Sequence, residues 1–246
     1  MNFFTQLFHT ILFQPFLNIL ILLYIYLPGK DFGIAIIVLT VAIKLALYPL
    51  TLKGLKHQKA SVELQPKLNE IKEKYKDNKA EQSKAMMELY KTEKLNPMSG
   101  CLPLLIQLPI IIALYRVFQG VFEEATVKAS LYSFVPNPGI INPTFLGISL
   151  LENQIFITIL AVLSGVAQFY QMKMMKSLTK TQTKGKKKDF ASNMQTQMSY
   201  VMPLISFFLV YKLGAVIGIY WLVTILFSVG EQYLLNKKDK TNPQKI

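Results

Sequence analysis

The sequence predicts an all-α polytopic membrane protein with a five-helix transmembrane core, a cytoplasmic helical hairpin and an N-terminal apolar helix. Hydrophobic residues make up 52% of the 246 residues and charged residues only 17%, which is typical of polytopic membrane proteins. The apolar residues fall into long runs, and a helix needs roughly 17–25 such residues to cross about 30 Å of hydrocarbon. Most of the 27 cations are clustered between these runs.

Five apolar runs form the predicted core, at residues 32–52, 100–119, 154–174, 198–211 and 215–232. The fourth run is short for a span, and without a break it would continue into the fifth. Lys212-Leu213-Gly214 interrupts the apolar pattern with a charge and a glycine, so we predict a tight turn there. In domain terms, residues 31–52 are the first core span and residues 99–235 hold the other four spans with their loops.

The first apolar stretch, within residues 1–30, has two open interpretations. Residues 11–27 are long enough to span the bilayer, yet Gln14, Pro15 and Asn18 interrupt the run near its start. One prediction is a helix that lies in the interface or is partly inserted, and the other is a sixth span. No Lys or Arg precedes the stretch and no small-residue cleavage site follows it, so we expect it to be retained.

The distribution of lysines predicts the orientation of the chain. Residues 53–96 carry 11 Lys against 7 acidic residues, and residues 173–197 carry 7 Lys against one Asp. The basic tail, residues 236–246, carries 4 Lys against one Asp. By the positive-inside rule these three segments face the cytoplasm, which places the C-terminus there too.

Residues 53–98 are predicted to form the cytoplasmic helical hairpin. Leu64, Leu68, Ile71 and Tyr75 recur at helical spacing, and Asp77-Asn78 is a turn signal. The many lysines and glutamates are typical of a solvated helix face. Contact with a ribosome, lipid headgroups or an emerging chain is the alternative role for that surface.

Several function classes find no support in the sequence. A single Cys101 and two distant histidines, His9 and His57, do not predict a disulfide or a metal site. Catalytic motifs and paired intramembrane carboxylates are missing, so we expect neither an enzyme nor a cofactor. The basic run 184–188 has no aromatic or groove-fitting features beside it, so a specific nucleic-acid partner is not expected either.

Lys44 is the charged residue near the middle of the first core span. A lysine at the centre of a span costs about 2.5–3.5 kcal/mol on insertion scales, and no acidic residue within the spans is expected to neutralise it. Snorkelling is the alternative, but residue 52 lies about 12 Å further along the helix, beyond the comfortable reach of a lysine. We therefore predict a wet cavity that is open to the cytoplasm.

Uncharged polar residues accompany Lys44 in the spans. Shared helix faces are predicted for Thr40, Lys44 and Tyr48, and for Ser164, Gln168 and Gln171, while Gln107 lies on the second span. Each of these residues also has a purely structural interpretation. Intramembrane hydroxyls bond back to their own helix, and glutamines hold neighbouring helices together.

One long stretch resembles a known family. "VAIKLALYPLTLK", followed by "LQPKLNEIKEKYKDNKAEQSKAMMELYKTEKLNPMSGCLPLLIQLPIIIALY", is closely similar to the YidC/Oxa/Alb membrane protein insertases. Weaker similarity extends the resemblance from about residue 13 to residue 235. It implies a bacterial short form without the large periplasmic domain, located in the inner (plasma) membrane. It also implies a hydrophilic groove, open to the cytoplasm and to lipid, that moves short polar segments across without a covalent step.

The resemblance also implies the groove residues and the partners. The implied substrate-binding residues are Lys44, Thr40, Gln107, Gln168, Tyr220 and Trp221. Lys44 stands where the family usually has an arginine, and lysine is a compact donor without the bidentate fork of the guanidinium. The implied partners are nascent membrane proteins and the lipid bilayer, with the ribosome and the Sec translocon beside them.

Two other function classes stay open from the sequence. A transporter or channel for a small solute would need a continuous polar path, and outer span segments such as "GIAIIVL" and "IIIALY" offer none. An assembly chaperone that acts mainly through its cytoplasmic hairpin would not need such a path.

Overall fold

The computed structural model describes residues 3–95, 102–177 and 190–241 of the chain, which are almost entirely helical. The first half comprises α1 (Phe3–Phe8), a π-helical segment (His9–Phe13), α2 (Gln14–Tyr26), a 3-10 turn (Pro28–Lys30), α3 (Phe32–Glu63), α4 (Gln65–Lys74) and α5 (Lys79–Thr92). The second half comprises α6 (Leu102–Gly120), α7 (Glu124–Ser130), β1 (Thr144–Phe145), β2 (Ile148–Ser149), α8 (Gln154–Ser177), α9 (Phe190–Leu213) and α10 (Ala215–Thr241). Cys101 and the basic run 184–188 lie outside the described residues.

Four of the described helical segments are long and apolar enough to cross a membrane: Phe3–Tyr26, Phe32–Ser61, Gln154–Met174 and Ala215–Lys237. Tyr200–Leu213 is a shorter apolar helix, and the predicted second span corresponds to α6, a helix of 19 residues. The predicted fold class, an all-α polytopic membrane protein, is confirmed.

The membrane helices pack around a core to which most of them contribute. Helices α8, α9 and α10 make the most extensive contacts, and α3 packs against α10 and α2. The fully buried apolar side chains include Leu17, Leu20, Ile21, Phe32, Ile36, Val117 and Val210. The outer faces of α8 and α9 are also apolar, with Val166, Phe169, Leu204 and Phe208 exposed. An apolar exterior of this kind suits a lipid environment and not water.

Asn18 ties α2 to the end of α7 and to the segment that follows it. Its side-chain amide donates to the backbone carbonyls of Gln14, at 2.7 Å, and Ser130, at 2.9 Å, and its carbonyl accepts from the Tyr132 amide at 2.8 Å. Only 1% of Asn18 is exposed, so this break in the apolar run is a buried and well-bonded polar group. Whether the N-terminal helix spans the bilayer or lies in the interface stays a prediction, although Phe3–Tyr26 has the length to span.

The first core helix, α3, is longer than the predicted span. It continues without interruption past residue 52 to Glu63, with Pro49 inside it. The residues after the span are mostly good helix formers, so nothing ends the helix at the predicted membrane boundary. The span is thus joined directly to the helical hairpin formed by α4 and α5.

The α4–α5 hairpin has the seam and the turn that the spacing predicts. Leu64 and Leu68 are buried, and α4 packs against α5. Asn78 caps α5, because its side-chain oxygen accepts from the Glu81 amide at 3.2 Å.

The turn predicted at Lys212-Leu213-Gly214 is confirmed. Helix α9 ends at Leu213, and α10 begins at Ala215. Gly214 between them has a φ of +89°, a conformation that glycine adopts without steric cost, and its amide donates to the Val210 carbonyl at 3.0 Å.

A small β-hairpin departs from the all-helical prediction. Strands β1 and β2 pair antiparallel around Leu146 and Gly147, whose φ values of +49° and +82° have the sign that a type I′ turn requires. Asp31 holds this turn, since one carboxylate oxygen accepts from the Leu146 amide at 2.5 Å. The other oxygen caps α3 by accepting from the Ile34 amide at 2.9 Å.

Candidate functional site

Lys44 lies in the interface between α3 and α10. Only 7% of the residue is exposed, and its ammonium donates to the Ser228 hydroxyl at 3.3 Å. The Ser228 hydroxyl donates in turn to the Thr224 carbonyl at 3.0 Å, so its lone pairs are left to face the ammonium. An ammonium has three donors, and Ser228 occupies one of them.

Glu231 is an acidic residue in the same helix interface as Lys44, and sequence reasoning missed it. This residue is 5% exposed, and its carboxylate accepts from the Thr51 hydroxyl at 2.6 Å. Thr51 follows Lys44 by about two turns on the same face of α3, and Glu231 follows Ser228 by about one turn in α10. Lys44 and Glu231 therefore share the interface between these two helices. The expectation that no acidic residue is available to neutralise Lys44 is therefore wrong. Glu231 lies at the end of the fifth predicted run, residues 215–232, and only the packing of α3 against α10 places it in the same interface as Lys44.

The two polar contacts show how α3 and α10 run beside each other. Lys44 precedes Thr51 in α3, and Ser228 precedes Glu231 in α10, so the helices are parallel. At ~1.5 Å per residue, Lys44 and Thr51 are about 10 Å apart along α3, whereas their partners Ser228 and Glu231 are about 4.5 Å apart along α10. The long side chains of Lys44 and Glu231 make up for these unequal backbone distances.

Tyr220 connects α10 to α6. The side-chain amide of Gln107 donates to the Tyr220 hydroxyl, and only 2% of Tyr220 is exposed. The neighbouring Trp221 is half-buried, and its indole N–H has no hydrogen-bond partner among the described residues. Helix α10 therefore contacts two of the predicted site residues on other helices, Lys44 and Gln107.

Thr40 and Gln168 have partners of a more structural kind. The Thr40 hydroxyl donates to the Ile36 carbonyl of its own helix at 2.6 Å. The Gln168 amide donates to Gln171 at 3.0 Å, and its oxygen accepts from the Ser206 hydroxyl at 3.4 Å. Gln168 therefore belongs to the interface between α8 and α9. Its role as a groove residue stays a prediction.

The sequence matches one protein family over most of its length. Residues 23–242 match the family described as 60Kd inner membrane protein. The chain belongs to this family. The match includes every residue of the site described above, from Ile36 and Thr40 to Glu231, and the resemblance to the YidC/Oxa insertases is confirmed. The chain is accordingly a multi-pass inner membrane protein.

Individual members of the 60Kd inner membrane protein family are identical to this chain at about one aligned residue in three. A "Membrane protein insertase YidC" of Fusobacterium nucleatum is 36% identical over 208 residues, which cover 85% of this chain and 87% of that relative. Proteins with the same name from Citrifermentans bemidjiense and Syntrophus aciditrophicus are 33% and 36% identical. The chain spans only 36% of the length of each of these two longer relatives.

Proposed function

We propose that this chain is a membrane protein insertase. It moves short polar segments across the bilayer and releases the adjoining spans into lipid through a hydrophilic groove that is open to the cytoplasm. The observation that carries this proposal is the buried ammonium of Lys44 inside a membrane helix. The name that the relatives bear, membrane protein insertase, supports it.

The proposed mechanism rests on polar groups placed inside the bilayer, and it needs no covalent step. A charged segment is costly at mid-membrane unless a partner and water are present. Lys44 supplies a cation for an acidic residue in the client's exported segment. The indole N–H of Trp221, which has no hydrogen-bond partner in the described part of the chain, supplies a further donor. The exposed apolar faces of α8 and α9 offer a surface along which the client's new span enters lipid.

The partners in this proposal are nascent membrane proteins and the lipid bilayer. The α4–α5 hairpin and the basic tail face the cytoplasm, where the hairpin contacts a ribosome and the spans work alone or beside the Sec translocon.

Deleting residues 63–93 tests the hairpin. We expect loss of ribosome-coupled insertion, with insertion of a small synthesised client retained. Loss of both would favour a chaperone that acts mainly through its hairpin.

Reconstitution into protein-free liposomes tests the insertase function. The client is a small synthesised protein with one aspartate in its exported tail, and protease protection measures insertion. We expect Lys44→Ala and Lys44→Glu to impair insertion, and Lys44→Arg to retain it because the charge is kept. The matched control is Lys128→Ala, which removes an exposed lysine of α7.

Two results would contradict the proposal. If the wild-type protein inserts no member of a client panel, the insertase function is refuted. If Lys44→Ala and Lys44→Glu insert every client as well as the wild type does, Lys44 has no part in the mechanism. Uptake of small solutes by the same liposomes would favour the transporter or channel class instead.

A further inference from the structure

Lys44 and Glu231 are buried residues of opposite charge in the interface between α3 and α10, and the proposed insertase mechanism uses only Lys44. Both residues are almost fully buried, at 7% and 5% exposure. Removing one partner of a buried pair leaves an uncompensated charge, which is strongly unfavourable. Each of the two charges therefore stabilises the other when no client is present.

The two charged groups have separate hydrogen-bond partners. The Ser228 hydroxyl accepts a hydrogen bond from the Lys44 ammonium at 3.3 Å, and the Thr51 hydroxyl donates to the Glu231 carboxylate at 2.6 Å. Ser228 is the acceptor for the ammonium among the described residues, which leaves two of its three donors without an acceptor there. A carboxylate brought by a client can thus bind Lys44 without first breaking the hydrogen bond of Thr51 to Glu231.

We propose that Glu231 is a resident counter-ion of Lys44 that competes with the client's carboxylate, which makes Glu231 a specificity-determining residue for acidic segments. This inference rests on the proposed insertase function. A client carboxylate at Lys44 adds a second negative charge beside Glu231, and like charges in a buried site oppose each other. Glu231 therefore weakens the binding of acidic segments and favours their release, after which it neutralises Lys44 again.

Thr51 is the positioning residue in this arrangement. Its hydroxyl fixes the Glu231 carboxylate on the face of α3 that also carries Lys44, about two turns away. A valine at this position has a similar shape but no hydroxyl. Thr51→Val frees the carboxylate to move, and we expect it to shift client binding in the same direction as Glu231→Gln but to a smaller extent.

The test uses two synthesised clients that differ only by aspartate or asparagine in the exported tail. The half-saturating concentration of each client is measured in proteoliposomes by crosslinking, with the wild type, Glu231→Gln and Glu231→Asp. Glutamine keeps an oxygen that can accept from Thr51, removes the charge and replaces the second carboxylate oxygen with an NH2 donor. Glu124→Gln is the matched control, because Glu124 is an exposed glutamate of α7.

We expect Glu231→Gln to raise the preference for the aspartate client over the asparagine client by at least about five-fold, the lower end of typical coupling between two ligands. We expect Glu231→Asp, which keeps the negative charge, to retain the wild-type preference, and Glu124→Gln to leave that preference unchanged. An unchanged preference in Glu231→Gln, or equal shifts for both clients, would overturn the inference. If the wild type inserts clients, those results would leave the insertase function intact.

A double-mutant cycle tests the pair without any client. Thermal unfolding in detergent is measured for Lys44→Met, Glu231→Gln and the double variant. We expect the double variant to be less destabilised than the sum of the single variants, because it leaves no unpaired charge. If Glu231→Gln alone does not fold, recovery of folded protein in the double variant supports the pair. Additive effects, or no recovery, contradict it.

Discussion

The ammonium of Lys44 lies 3.3 Å from the hydroxyl of Ser228, and this contact joins the first core helix to the last. Ser228 is in turn fixed by its own hydrogen bond to the Thr224 carbonyl. A charge inside a membrane helix is thereby matched by a polar group on the neighbouring helix, as intramembrane charges generally are. Substituting Ser228 therefore tests directly how much this hydrogen bond stabilises the buried charge of Lys44.

Replacing Ser228 with alanine removes the acceptor of a charged donor. Hydrogen bonds to charged groups contribute about 1.5–3 kcal/mol, so we expect a loss of stability of that order. The thermal midpoint in detergent measures it, and Ser228→Thr is the control because it keeps the hydroxyl. Equal midpoints for Ser228→Ala and the wild type would show that water or another group replaces Ser228.

Replacing Asn18 with leucine is expected to loosen the N-terminal helix from the segment after α7. The Ser130 carbonyl and the Tyr132 amide would lose their partner, and each unsatisfied buried group costs about 1–3 kcal/mol. Hydrogen exchange at the Tyr132 amide and the thermal midpoint measure the effect. Asn137→Ala, at an exposed asparagine in the same segment, should change neither quantity appreciably.

Replacing Asp31 with alanine is expected to release the β-hairpin and weaken the start of α3. Loss of an N-cap alone costs about 1 kcal/mol. The turn also loses the acceptor that holds Leu146 in its left-handed conformation. Limited proteolysis should cut residues 142–150 faster in Asp31→Ala, whereas Asp31→Asn keeps one oxygen acceptor and should be cut at an intermediate rate. Unchanged cleavage would show that β1 and β2 hold the turn without Asp31.

The hydrogen bond between Gln107 and Tyr220 predicts non-additive behaviour. Tyr220→Phe removes the hydroxyl that accepts from the Gln107 amide, and Gln107→Leu removes the amide that donates to the tyrosine hydroxyl. Replacing both partners by apolar groups can be nearly neutral, so the double variant should be more stable than the sum of the single effects indicates. Thermal unfolding of the four proteins measures this coupling, and strictly additive losses would contradict it.

The predicted orientation can be tested with single cysteines in a Cys101→Ser background. In intact cells, a membrane-impermeant thiol reagent should label Asn137→Cys between α7 and α8. It should label Asp77→Cys, in the turn of the α4–α5 hairpin, only after the membrane is opened. The reverse pattern would invert the orientation that the positive-inside rule predicts.

Much of the helical framework could be predicted because its signals are local. The length of an apolar run predicts a span, and the glycine at residue 214 predicts the break between α9 and α10. The extension of α3 to Glu63 was not predicted, because a continuous helix leaves no local signal at a membrane boundary. The β-hairpin at Leu146 was missed because two-residue strands are too short to show an alternating pattern.

The sequence by itself determined the family, the membrane helices and the presence of a cation inside the first core span. These properties depend on residues that are neighbours along the chain. Only the tertiary structure decided which groups meet that cation. Glu231 follows Lys44 by 187 positions in the sequence. The two residues share one interface because α3 and α10 pack in parallel. The partner of a buried charge depends on helix packing, which a single sequence does not show.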